Sequence, residues 1–130
     1  MTSQMSLDGN RVFSYDDFVA EFNREYLRLF GPPSWDGQSF EDLDDFLEMA
    51  KPLKICWIHS TSAKAALGYR EMAEFRMRSL EECKRRFPNA DYMLQEISQA
   101  IEEALSERGP TLFEYLCWQM QSSDCEILCE

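Results

Sequence analysis

Six carboxylates crowd into thirteen residues of this sequence. They are Asp36, Glu41, Asp42, Asp44, Asp45 and Glu48, and no Lys or Arg interrupts them. On a helix, Glu41, Asp44, Asp45 and Glu48 stand at i, i+3, i+4 and i+7 and share one face, opposite Phe40, Leu43 and Leu47. Such a face has three possible uses. Paired carboxylates can exchange protons with a substrate, can ligate a cation, or can accept charge-assisted hydrogen bonds from a basic partner. Proton transfer needs a raised pKa, which an exposed helix face does not supply. A convex face holds its oxygens too far apart for the six to eight ligands of a hard cation. Docking of a cationic surface is the use that fits, and an ordinary solvated face is the plain alternative. Like charges at these spacings cost the free protein about 0.2–0.5 kcal/mol per pair, partly offset by the helix dipole near its N-terminus.

The bulk composition agrees. The chain has 130 residues with 24 Asp+Glu against 13 Lys+Arg, a formal charge of −11. That charge opposes non-specific binding to nucleic acid, whose phosphates need Lys and Arg, and favours encounter with a basic protein. Hydrophobic residues at 45% support one packed domain rather than a disordered chain. The opening segment lacks the basic and apolar regions of a signal peptide, and no apolar run reaches the length of a membrane span. The five cysteines are odd in number and scattered, which suits reduced thiols in a cytoplasm. Cys125 and Cys129 lack the further Cys or His that would complete a tetrahedral metal set. No P-loop, HExxH, nucleophile elbow or dinucleotide fingerprint is present, and the single His59 reads as structural. The expectation is a binding protein rather than an enzyme, with no cofactor.

The elements that must position the acids follow from periodicity and caps. A strand over Gln4–Leu7 ends at the Asp8-Gly9-Asn10 turn. Ser14 caps a helix that carries Phe18, Phe22, Tyr26 and Leu29 inward and stops at Gly31-Pro32-Pro33. Ser39 caps the acidic helix, Phe40–Ala50. Leu53–Ile58 is a compact apolar run and reads as a buried parallel strand. A short helix over Ser62–Leu67, a long one over Tyr69–Arg86 and one capped by Asn89 follow. Thr111–Gln119, rich in β-branched and aromatic residues, reads as the closing buried strand. The domain is then 1–121, with 122–130 a flexible tail. Strands separated by helices imply an α/β fold: a small three-stranded parallel sheet covered by four to five helices. Seven basic residues cluster between Lys64 and Arg86, mixed with acids, as on a salt-bridged surface helix. Trp57 and Trp118 lie in predicted strands and are expected in the core. Trp35 reads either as an interface anchor or as a core residue.

Three segments together resemble the barstar family of intracellular ribonuclease inhibitors. They are Leu7–Phe18 (LDGNRVFSYDDF), Trp35–Leu47 (WDGQSFEDLDDFL) and Pro52–Trp57 (PLKICW). The likeness covers the first two-fifths of the chain by sequence and the rest by topology only. It implies an immunity protein that inserts its loop and following helix into the basic active site of a nuclease toxin, a ribonuclease first of all. By position, Asp45 takes the place of a substrate phosphate, and Glu41 is the acid one turn earlier. Trp35 is the loop aromatic, Asp36 and Gly37 belong to the inhibitory loop, and Asp44 replaces a helix-borne aromatic. Glu48 extends the stripe. Glu103, or else Glu102, loosely matches an acid on the family's last helix. Ser39 stands where the family has Asn, and the Tyr69–Arg86 helix is much enlarged. The implied partner is a basic protein bound one-to-one by a monomer, with no direct contact to nucleic acid or membrane. The alternative is a barstar-like adaptor for another basic protein.

Overall fold

A computed structural model of the chain describes residues 2–130. Its elements are β1 (Ser3–Asp8), a 3₁₀ turn (Gly9–Arg11), α1 (Tyr15–Phe30), α2 (Phe40–Met49), β2 (Leu53–Ile58), α3 (Ser60–Ala66), α4 (Tyr69–Arg86), α5 (Asp91–Leu105), α6 (Leu112–Gln121) and β3 (Glu126–Cys129). The three strands form one parallel sheet in the order β1-β2-β3. The α/β architecture with a three-stranded parallel sheet is therefore the one the sequence predicts, with six helices instead of four to five.

β2 is central. Leu53, Ile55 and Trp57 point into the core on one face of the sheet, and Cys56 is buried on the other, where Gln4, Glu126 and Leu128 are exposed, so only one face is fully covered. β1 alternates, with Met5 and Leu7 in the core. It is an edge strand, and its free edge is covered in an unusual way. The Ser6 backbone N–H donates to Glu25 Oε1 and the Asp8 N–H to Glu21 Oε2, both at 2.8 Å. The two carboxylates project from α1 and are 2% and 4% exposed. Arg28 grips Glu25 at 2.7 and 3.0 Å, and Arg24 grips Glu21 at 2.9 and 2.7 Å. Open strand N–H groups that would otherwise template pairing with another chain are thus satisfied from within.

Two expectations are corrected at the C-terminal end. Thr111–Gln119 is not a strand: Leu112–Gln121 is the helix α6. Its start is a reciprocal cap, in which the Glu114 N–H donates to Thr111 Oγ1 (3.2 Å) and the Thr111 N–H to Glu114 Oε1 (3.1 Å). Leu112, Phe113, Leu116 and Met120 then fall on one buried helical face, and this period overrides the strand propensity of the aromatics. Nor is 122–130 a tail, so the domain does not end at 121. Glu126–Cys129 is the third strand, paired Ile55 to Ile127 and Trp57 to Cys129, with Cys125 buried behind it. Helices α3 to α6 together make the crossover that a parallel β2–β3 pair requires. Within it, α5 packs principally on α4, while α6 packs on α2, α3, α4 and β3.

Candidate partner-binding site

The acidic segment consists of the loop 31–39 and α2. The loop is fixed from below. Asn23 on α1 bonds both sides of Trp35: its Nδ2 donates to the Trp35 carbonyl (2.6 Å), and its Oδ1 accepts from the Trp35 N–H (2.8 Å). The Trp35 indole N–H reaches the Ser39 carbonyl at 3.0 Å. The ring stands edge-on to Phe18 and Phe22, at 6.3 and 5.7 Å between centroids. At 2% exposure Trp35 belongs to the core. It is therefore a peg that holds the loop, and of the two readings open for it, interface anchor and core residue, its burial favours the core.

Gly37 is the second fixed point. Its φ of +81° favours glycine, and a Cβ there would lie 2.8 Å from Val19 Cγ2. The Tyr15 hydroxyl donates to its carbonyl at 2.6 Å. Burial pushes the Tyr15 phenol well above its ordinary pKa, so it stays a donor across the physiological range. Asp36 is exposed, and its Oδ1 closes a local turn by accepting from the Gln38 N–H. Ser39 Oγ then accepts from the N–H groups of Glu41 (3.1 Å) and Asp42 (3.4 Å) and starts α2.

The acids of α2 divide into two groups. Glu41, Asp42 and Asp45 are exposed, and among the described residues no cation lies within ion-pair distance of them. Glu48 is also exposed but pairs with Lys51 at 2.8 Å, and Lys51 also approaches Asp124 at 3.6 Å. Asp44 is half-buried and turned to α6. It accepts from Gln119 Nε2 (3.2 and 3.4 Å) and from Ser123 Oγ (2.6 Å). The stripe read from spacing is thus an outward pair, Glu41 and Asp45, flanked by Asp44 as a structural acid and Glu48 as a half-neutralised one.

Glu103 is not brought to this stripe. It sits on α5, which packs on α4, and it borders an open polar groove with Gln99 and Arg108. The last helix is α6, whose one acid, Glu114, caps its own helix. Sequence reasoning also missed Gln119 and Ser123 as partners of Asp44. The signal that could have found them is Thr111-x-x-Glu114, which marks a helix start and so turns Gln119 toward a neighbour.

Next to the stripe lies an aromatic wall. Phe40 at the head of α2 stacks on Phe75 (5.4 Å) and packs on Tyr115 (5.5 Å). Tyr15 joins Phe75 at 4.8 Å. Arg76 lays its guanidinium 4.6 Å from the Tyr115 ring centre, a cation–π contact. Trp118 follows at 6.0 Å from Tyr115 and is 60% exposed, which corrects its expected place in the core. Arg78 ties α4 to α1 through Asp16 at 2.8 and 2.9 Å.

Compared with known proteins, the chain matches no family model, no curated protein and no solved structure. No helix is long and apolar enough to cross a membrane among the described residues, and none of their His, Cys, Asp and Glu side chains form a group of three able to hold a metal ion.

Proposed function

We propose that this protein is a cytoplasmic, barstar-like immunity protein that inhibits a cognate nuclease toxin, a ribonuclease first of all. It acts as a monomer in a one-to-one complex and seats α2 in the toxin's basic active site. The observation that carries this reading is the contrast within one segment. The backbone from Trp35 to Ser39 is pinned by five hydrogen bonds to and from Asn23, Tyr15, the Trp35 indole and the Asp36 carboxylate, yet Glu41 and Asp45 above it have no cationic partner among the described residues. Ordering costs are met in advance, so binding need not supply them. Free carboxylates on a rigid helix suit a site built from Arg, Lys and His to hold phosphate. The three-stranded parallel sheet is the architecture the resemblance implies, and it supports the reading without deciding it.

Titration of a purified basic ribonuclease with this protein tests the proposal. Loss of RNA cleavage complete at one equivalent is the expected result. Binding without loss of cleavage favours the adaptor reading. No binding to any of a panel of small basic nucleases overturns the inhibitor reading.

A further inference from the structure

The apolar anchor of the interface is not on the loop. We infer that Trp118, on α6, is the hot-spot residue against which the basic partner sets an apolar side chain. This rests on the inhibitor reading above and names where its contact area lies.

Position comes first. α2 and α6 run side by side, with Phe40 against Tyr115 and Asp44 against Gln119. Each pair is separated from the next by four residues on both helices, so the seam is continuous along one helical turn. Trp118 lies three residues after Tyr115 and one before Gln119. It therefore projects outward from α6, away from the core that Leu112, Leu116 and Met120 face. Asp44 marks the near side of the acidic stripe, and Glu41 and Asp45 lie one step further out on the same helix. The indole and the free carboxylates thus share one surface.

Chemistry comes second. Trp118 borders a pocket of about 430 Å³ with Arg76, Pro110, Glu114 and Tyr115. Of its two charges, Glu114 is engaged in the cap of α6, while Arg76 lies over the Tyr115 ring with its Nε buried and without a hydrogen-bond partner among the described residues. Pro110, Tyr115 and Trp118 offer apolar surface beside them. Interfaces favour this arrangement, a desolvated Trp beside a polar rim. The partner is fixed by charge complementarity. A protein that covers both Trp118 and the outward carboxylates of the neighbouring helix must bring cations to α2, or it buries those carboxylates alone.

The test uses the full chain and a panel of small basic ribonucleases made inactive at the active-site base. Trp35 and Trp57 are buried and Trp118 is not, so 5-fluorotryptophan placed in this chain alone gives one solvent-exposed ¹⁹F signal. The inference expects that signal to shift on binding while the two buried ones stay. Trp118→Ala should weaken binding at least about 30-fold, with Trp118→Phe recovering part of the loss and thermal stability unchanged in both. Asp45→Ala is the separate control on the inhibitor reading. If Asp45→Ala weakens binding but Trp118→Ala stays within twofold and the ¹⁹F signal does not move, the inference is overturned and the inhibitor reading stands. If no nuclease binds, both fall.

Discussion

Asp44 and Gln119, 75 residues apart in sequence, close the seam between α2 and α6 through a side-chain amide donated to a carboxylate at 3.2 Å. Ser123 adds a second donor from the turn that leads to β3. The acidic helix is therefore fastened to the C-terminal helix by one of its own acids, and that acid is spent on structure.

Removing this acid should damage the protein itself. Asp44→Ala leaves Gln119 and Ser123 without their acceptor and should cost about 1–2 kcal/mol in urea unfolding. Asp44→Asn keeps an acceptor oxygen and should cost less. A cycle with Gln119→Ala should show coupling of about 0.5 kcal/mol or more, whereas Glu41→Ala should not couple to Gln119.

Asp45→Ala and Glu41→Ala should behave in the opposite way. Asp45→Ala relieves like-charge repulsion and adds helix propensity, so stability should be unchanged or rise by about 0.2–0.5 kcal/mol, whereas Glu41→Ala also gives up a first-turn acid favoured by the helix dipole and should leave stability near unchanged. Affinity for a basic nuclease should fall, by at least about 2 kcal/mol for Asp45→Ala and by less for Glu41→Ala. Association should slow steeply as salt is added, because exposed charges steer the encounter. Calorimetry and stopped-flow mixing read both quantities, and a salt-independent on-rate would exclude steering.

The covered edge of β1 predicts an acid-sensitive fold. Arg28 holds the Glu25 carboxyl below its ordinary pKa, burial opposes this, and the Ser6 N–H adds to the lowering. A carboxyl lowered by folding contributes stability that is fully present above its unfolded-state value, about 4.3. The contribution fades as pH falls through the lower folded value. Urea midpoints should therefore decline below about pH 5, and Glu25→Gln should flatten part of that decline. Glu25→Ala strands the Ser6 N–H and should cost about 1–3 kcal/mol at neutral pH.

Two glycines with the same backbone angle should respond differently. Gly31 and Gly37 have φ of +80° and +81°. A Cβ on Gly31 meets open space, whereas one on Gly37 meets Val19. Gly31→Ala should cost about 1–3 kcal/mol, because φ +80° with ψ −174° is a region that essentially only glycine enters, and Gly37→Ala should cost more by the clash with Val19. Val19→Ala in the Gly37→Ala background should recover only the difference, as thermal melts would report.

The sequence was most legible where local signals agreed. Ser39 before Phe40, Leu43 and Leu47 gave α2, and Pro52 before a six-residue apolar run gave β2 with its observed bounds. It misled where they competed. In Thr111–Gln119 the aromatics argue for a strand and the cap with its 3.6-residue period argues for a helix, and packing against α2 and α4 favours the helix. That one error displaced Trp118 from surface to core and left Glu126–Cys129 without a place in the sheet. β3 is four residues long and only half-buried at Ile127, so it carries little alternation to read. Trp35 sits in a Pro-, Gly- and Ser-rich stretch that reads as surface. Its burial depends on Asn23, twelve residues earlier, which nothing local announces.

The pinned loop separates two kinds of information. Asn23, Tyr15 and Trp35 face inward and set where the backbone runs, while Glu41, Asp42 and Asp45 face outward and have no ion-pair partner among the described residues. Shape and identity are therefore written at different positions. The outward letters can be exchanged one at a time while the scaffold holds still, so a change of partner requires a few surface substitutions and no refolding.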